Sequence, residues 1–99
     1  MESDPKEIRI GELLIRAGFI TKEDLDEALE IAKQSGQLIG RVLTMSGFLT
    51  EERLKATLRA QEHLRSGQIT IDTALRALSV ADKNNSPFDN ALHQVKHAV

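Results

Sequence analysis

Histidine is the residue from which a reactive centre would have to be built, because the chain contains no cysteine and only three histidines, His63, His93 and His97. None lies close in sequence to a Gly-flanked Ser of the nucleophile-elbow type, so the usual pairing of a hydroxyl with its base has no starting point. His93 and His97 stand one helical turn apart, a spacing that can chelate zinc, but there is no intervening Glu, no Cys and no obvious third ligand. They read as part of a solvated tail helix. The acidic run from Glu23 to Glu30 spreads around a helix and reads as a solvated outer face, not as a carboxylate pair for acid–base work. No Gly-Lys-Ser phosphate loop is present, which removes nucleotide hydrolysis of that type. The expectation is a protein that is not an enzyme and holds no metal or resident cofactor.

The basic residues pose a second question. Arg41, Arg53, Lys55, Arg59 and Arg65 make residues 38–66 locally positive, with five basic against three acidic side chains. Two helices joined by a tight Gly turn in that region imitate a helix-turn-helix, so a small DNA-binding regulator is one reading. The local balance of +2 and the overall net charge of -2 speak against nucleic acid, since readers of duplex DNA concentrate more positive charge on one face.

These side chains must be positioned by a single small domain, because 99 residues have too little buried surface to divide between two cores. Hydrophobic residues make up 40 % and charged residues 28 %, a globular balance. The aromatics are 3 %, all Phe, which leaves Leu, Ile, Ala and Val to fill the core and favours helices over sheets. The absence of cysteine, the lack of a signal-peptide pattern and apolar runs no longer than Leu13-Leu14-Ile15 predict a cytoplasmic protein with no membrane insertion.

The most informative pattern is an internal repeat at an offset of 29 residues. Residues 9–32 laid over 38–61 give nine identities in 24 without a gap: Ile10/Ile39, Gly11/Gly40, Leu14/Leu43, Gly18/Gly47, Phe19/Phe48, Thr21/Thr50, Glu23/Glu52, Leu25/Leu54 and Leu29/Leu58. Chance pairing gives roughly one or two.

Each unit reads as a short helix, a Gly turn and a longer helix. Gly18 sits where a helix ends on a left-handed residue, Thr21 offers its hydroxyl to the next helix, and Asp24 three residues on makes a near capping box. Leu25, Ala28, Leu29 and Ala32 then keep the three-four spacing of one buried face up to Gly36. The second unit repeats the plan with Gly47, Thr50 and the stripe Leu54, Thr57, Leu58 and Gln61. Gly67-Gln68-Ile69-Thr70 echoes Gly18-Phe19-Ile20-Thr21 and opens a partial third unit with Ala74, Leu75, Leu78 and Ala81. Lys83-Asn84-Asn85 breaks it. Ser86-Pro87-Phe88-Asp89 then starts a last helix through Leu92 and Val95, with Ser86 as its cap. The fold class is all-α with about six helices: two tandem helical hairpins related by the repeat over residues 8–66, and a two-helix extension over 67–99. Residues 1–7 are polar, contain Pro5 and read as a frayed start.

The doubled pattern, Arg9-Ile10-Gly11 through Leu14, Gly18, Ile20, Leu25 and Leu29, then Ile39-Gly40 through Leu43, Gly47, Leu49, Leu54, Leu58 and Gln61, closely resembles a known tandem motif. That motif belongs to the N-terminal regulatory domain of type II secretion and type IV pilus assembly ATPases. In that family two 24-residue motifs separated by five residues bind cyclic di-GMP, and the separation here is also five. The resemblance implies a non-enzymatic module whose ligand is a cyclic dinucleotide.

Such a ligand carries two phosphates and two flat guanines. It suits exposed amides at helix starts, glycines that admit backbone, apolar side chains under the bases and a few directed polar groups. Gly11 and Gly40 would supply the close approach. Ile10, Leu14, Leu25 and Leu29, with Ile39, Leu43, Leu54 and Leu58, would floor two halves of a pseudo-symmetric groove. Arg9 would fork onto a phosphate or a guanine edge, and Gln61 would pair with a base. The family pattern departs at two places, with Ala32 where it has Gln and Leu38 where it has Arg. The rival reading is a ligand-free docking adaptor whose hairpins or C-terminal helices present an apolar strip to a protein partner of a secretion, pilus or signalling system.

Overall fold

Three turns of one design direct the chain. The computed structural model of the protein describes residues 8–97, so the expected frayed start at 1–7 lies outside the described residues, as do 98 and 99. The described helices are α1 (Ile10–Arg16), α2 (Lys22–Ser35), α3 (Ile39–Met45), α4 (Glu51–Arg65), α5 (Ile71–Asn84) and α6 (Phe88–His97). No strand occurs among the described residues. α1, α3 and α4 end on Gly18, Gly47 and Gly67, whose φ angles of 79°, 80° and 77° lie in the left-handed region. That conformation aims two amides back at the helix end. Gly18 and Phe19 donate to the carbonyls of Ile15 and Leu14, Gly47 and Phe48 to those of Thr44 and Leu43, and Gly67 and Gln68 to those of Leu64 and His63.

Three residues after each Gly a Thr caps the following helix. The hydroxyls of Thr21, Thr50 and Thr70 accept from the amides of Asp24, Arg53 and Thr73 at 3.1, 3.2 and 3.2 Å. At Thr21 the capping box closes, with the Thr21 amide donating to Asp24 Oδ2 at 3.2 Å. The expected cap at Ser86 is not made. Ser86 Oγ is buried without a hydrogen-bond partner among the described residues, and the Ala91 amide donates instead to the Pro87 carbonyl. The chain enters α6 through proline, whose fixed φ sets the helix direction without a side-chain acceptor.

The repeat packs by exchange. α1 lies on α4 and α2 lies on α3, so each short helix leans on the long helix of the other unit and the hairpins are not self-contained. A seven-residue helix buries too little to stand on its own partner alone: α1 buries Gly11, Leu13 and Leu14, and α3 buries Val42 and Leu43. Within each unit one contact is matched across the repeat. A Cβ at Gly11 would stand 2.9 Å from both methyl carbons of Leu25, and one at Gly40 would stand 3.0 Å from Leu54 Cδ1, so in both units a helix start and a leucine share space that a side chain would fill.

α4 is the central helix, with α1 and α3 on one side and α5 and α6 on the other. Its buried line is accordingly Thr57, Ala60, Gln61 and Leu64, not the expected Leu54, Thr57, Leu58 and Gln61. Ala60 and Leu64 are fully buried. On α2 Ala28 is buried and Leu25 and Ala32 are half-buried against the core, which leaves Leu29 as the exposed leucine of the stripe.

Gly47→Ala should destabilise the fold by about 1–2 kcal/mol, because nothing crowds the new Cβ and the whole cost is the left-handed backbone. Gly47→Asn should recover part of it, since Asn tolerates that conformation. Urea denaturation midpoints of the two variants check both expectations.

Candidate functional site

Leu25 and Leu29 of α2 face a cavity of about 700 Å³ between α1, α2, α4 and the start of α3. Ile10, Ile15, Leu25, Leu29, Ile39 and Leu58 supply its apolar lining. Leu29 and Leu58, matched across the repeat, are 47 % and 42 % exposed. Polar groups ring this surface: Arg9, Arg16, Lys22 and Arg65 against Glu12 and Asp26, together with Gln61. The surroundings are therefore positive in a chain whose net charge is -2. Arg16 keeps a loose pair with Glu12 at 3.7 Å, and both side chains are well solvated, so little of the guanidinium's charge is neutralised there.

Gln61 holds this wall together. Its Nε2 donates to the carbonyl of Ile8 at 3.0 Å in a buried hydrogen bond, which ties the residue preceding Arg9 to the middle of α4. Ile8 itself is 1 % exposed. Sequence reasoning assigned Gln61 to a ligand and overlooked Ile8. The structure gives Gln61 a bond within the fold as well as a place on the cavity.

Of the twelve residues singled out from the sequence, Arg9, Ile10, Gly11, Leu25, Leu29, Ile39, Leu58 and Gln61 gather around the cavity. Leu14 and Leu43 do not. Both are fully buried in the core, which puts them out of reach of any ligand at this surface. Gly40 and Leu54 lie against each other outside the cavity lining. Neither α1 nor α3 carries a side-chain cap, but the start of α1 contributes Ile10 and Gly11 to the cavity, whereas the start of α3 contributes only Ile39. The expected twofold groove is thus unequal: the matched pairs Ile10/Ile39 and Leu29/Leu58 line it, whereas Gly11 and Leu25 line it without Gly40 and Leu54. Arg65, one of the basic residues of 38–66, lines the cavity, and Arg16 and Lys22 join it although the repeat pairs them with Met45 and Glu51 and so gives no sign of them.

No residue beyond Arg65 lines the cavity. α5 and α6 occupy the other side of α4, where they enclose a second cavity of about 460 Å³ with Phe19 at its edge. Two arginines of α4 are held there. Arg53 grips Asp82 through Nε and NH2 at 2.8 and 2.9 Å, and its guanidinium carbon stands 4.7 Å from the centroid of the Phe19 ring. Arg59 grips Asp89 at 3.0–3.1 Å, and His63 Nε2 meets the same carboxylate at 3.1 Å. Two of the five basic residues of this segment, Arg53 and Arg59, are therefore paired with carboxylates, which lowers the charge available to a nucleic-acid backbone.

Hydrogen bonds from Arg53 hold the Asp82 carboxyl below its usual range, and hydrogen bonds from Arg59 and then His63 do the same for Asp89. On the last helix the rings of His93 and His97 lie 4.2 Å apart, and no group of three His, Asp or Glu able to hold a metal occurs among the described residues. No helix among the described residues is long and apolar enough to cross a membrane.

A segment of 38 residues, 38 % of this chain, is 45 % identical to the type IV pilus assembly ATPase PilB of Thermus thermophilus. Over that segment the chain is related to the type IV pilus assembly ATPases. The match spans only 4 % of the length of PilB. No family model matches the chain. No solved structure matches it either.

Gln61→Ala should cost about 1–3 kcal/mol, because it strands the buried Ile8 carbonyl, and a lowered urea midpoint would register it. The acid limb of stability has a defined sign. Asp82 and Asp89 titrate lower in the folded chain than the unfolded value of about 3.9, so their contribution is complete above that pH and disappears as the pH falls through the folded values. Asp82→Asn should cost less than about 1 kcal/mol at pH 7, given how solvated the pair is, and should flatten the fall in urea midpoint below about pH 4.

Proposed function

We propose that the chain is a non-enzymatic regulatory module that takes a cyclic dinucleotide, cyclic di-GMP, into the cavity between α1, α2 and α4, in the service of a pilus or secretion assembly. The observation that carries this reading is the convergence of Arg9 and Gln61, from opposite ends of the doubled segment, on one apolar cavity with a positive surround. A flat guanine has apolar side chains to rest on at Leu25, Leu29 and Leu58. Arg9 offers the planar fork that suits a phosphate or the O6/N7 edge of guanine, and Arg16, Lys22 and Arg65 raise the local concentration of a dianion. The cavity volume falls in the range of small-molecule sites. The partial relationship to PilB supports the pilus setting, and the tandem motif supports the ligand.

A second reading has its own observation. Leu38 is 82 % exposed and Met45 is 67 % exposed, at the two ends of α3. Large apolar side chains so placed suit a docking adaptor that offers α3 to a protein partner of a pilus, secretion or signalling assembly.

Titration calorimetry with cyclic di-GMP distinguishes the two. Heat of binding is expected from the intact chain, with Arg9→Ala weaker by about tenfold or more. Each of Ala32→Gln and Leu38→Arg should bind more tightly than the unmodified chain. No heat from a folded protein would overturn the nucleotide reading and leave the adaptor.

A further inference from the structure

The repeat pairs each position of the first unit with one of the second, and the pairs that bear on recognition are unequal. Arg9 answers to Leu38, and Gln61 answers to Ala32. The cations follow the same rule, since Arg16 answers to Met45 and Lys22 to Glu51. By the repeat, the contact of α1 with α4 corresponds to that of α3 with α2, and the positions of Arg9 and Gln61 correspond to those of Leu38 and Ala32. The first pair is assembled: Gln61 is bonded to the residue before Arg9, and both side chains line the cavity. The counterpart is apolar at both positions, and neither Leu38 nor Ala32 lines the cavity.

We infer that the cavity is a half-site, specific for one purine nucleoside monophosphate unit, whether free or as one half of a dinucleotide. This rests on the nucleotide reading of the cavity given above. Its chemistry follows from the groups on one side only. Arg9 and Arg16 meet a single phosphate. One N–H of the Gln61 amide is held by the Ile8 carbonyl, which fixes the orientation of the amide, and its Oε1 is the acceptor for a ring N–H or an exocyclic amino group, which guanine carries on adjacent atoms. The second half of a symmetric ligand gains no directed polar contact, so it adds little affinity.

Nitrogen-15 NMR of the full chain, titrated with cyclic di-GMP and separately with guanosine 5′-monophosphate, tests this. Both compounds should shift the Gly11 amide and the Gln61 side-chain amide, with dissociation constants within about tenfold of each other, while the amides of Gly40 and Ala32 stay in place. Leu38→Arg should tighten the cyclic compound by about tenfold and leave the mononucleotide unchanged. If cyclic di-GMP moves Gly40 and Ala32 as far as Gly11 and Gln61, and the mononucleotide binds more than about 100-fold more weakly, the half-site falls while the nucleotide reading stands. An equal gain for both compounds in Leu38→Arg would also remove the half-site. Silence from both nucleotides against a folded spectrum would remove the nucleotide reading, and the half-site with it.

Discussion

A left-handed glycine followed three residues later by a threonine cap is the constraint on which the rest of this fold depends. At Gly18, Gly47 and Gly67 the backbone turns with two amides donating into the helix just finished. The Thr hydroxyl then receives an amide of the helix about to begin. Helix ends otherwise leave carbonyls and amides without partners, a cost that short helices cannot absorb from packing alone. Satisfying the carbonyl end of α1 or α3 and the amide end of the next helix within four residues fixes the direction in which α2 and α4 leave.

Those directions make α4 the shared wall of two different surfaces. Toward α1 and α2 it offers Leu58 and Gln61 to an open apolar cavity. Toward α5 and α6 it offers Arg53, Arg59 and His63 to carboxylates on the C-terminal helices. The two sides differ in what they still need. The forks on Asp82 and Asp89 pair these arginines with carboxylates, so that face helps to hold the C-terminal helices in place. On the other face the cations outnumber the carboxylates, and Leu29 and Leu58 are half exposed.

The twofold repeat is preserved in the framework and broken in the polar groups. Gly11 with Leu25 and Gly40 with Leu54 make matching close contacts, because shape is what relates the two units. Arg9 and Gln61 have only Leu38 and Ala32 as their counterparts, so the polar half of the pattern survives on one side of the pseudo-axis. Leu14 and Leu43 show the same division from within: they look like groove residues in the linear motif, yet both are sealed in the core as packing partners.

The helices and their turns were legible residue by residue, because capping, left-handed glycines and three-four spacing act over a few residues and leave their mark in types and offsets. Thr21 with Asp24, Gly36 and the echo at Gly67 each predict a boundary that the backbone realises. Eight of the twelve candidate site residues also converge, since one face of each repeat unit supplies them. What the linear order did not contain was the exchange of α1 onto α4, the bond from Gln61 to the Ile8 carbonyl, and the pairing of Arg53 and Arg59 with Asp82 and Asp89. Those contacts join residues 26 or more apart in the chain, and no local spacing encodes them. Local hydrogen-bonding geometry is written into short stretches of sequence, whereas the choice of which faces are covered is made only when all six helices compete for the same apolar surface.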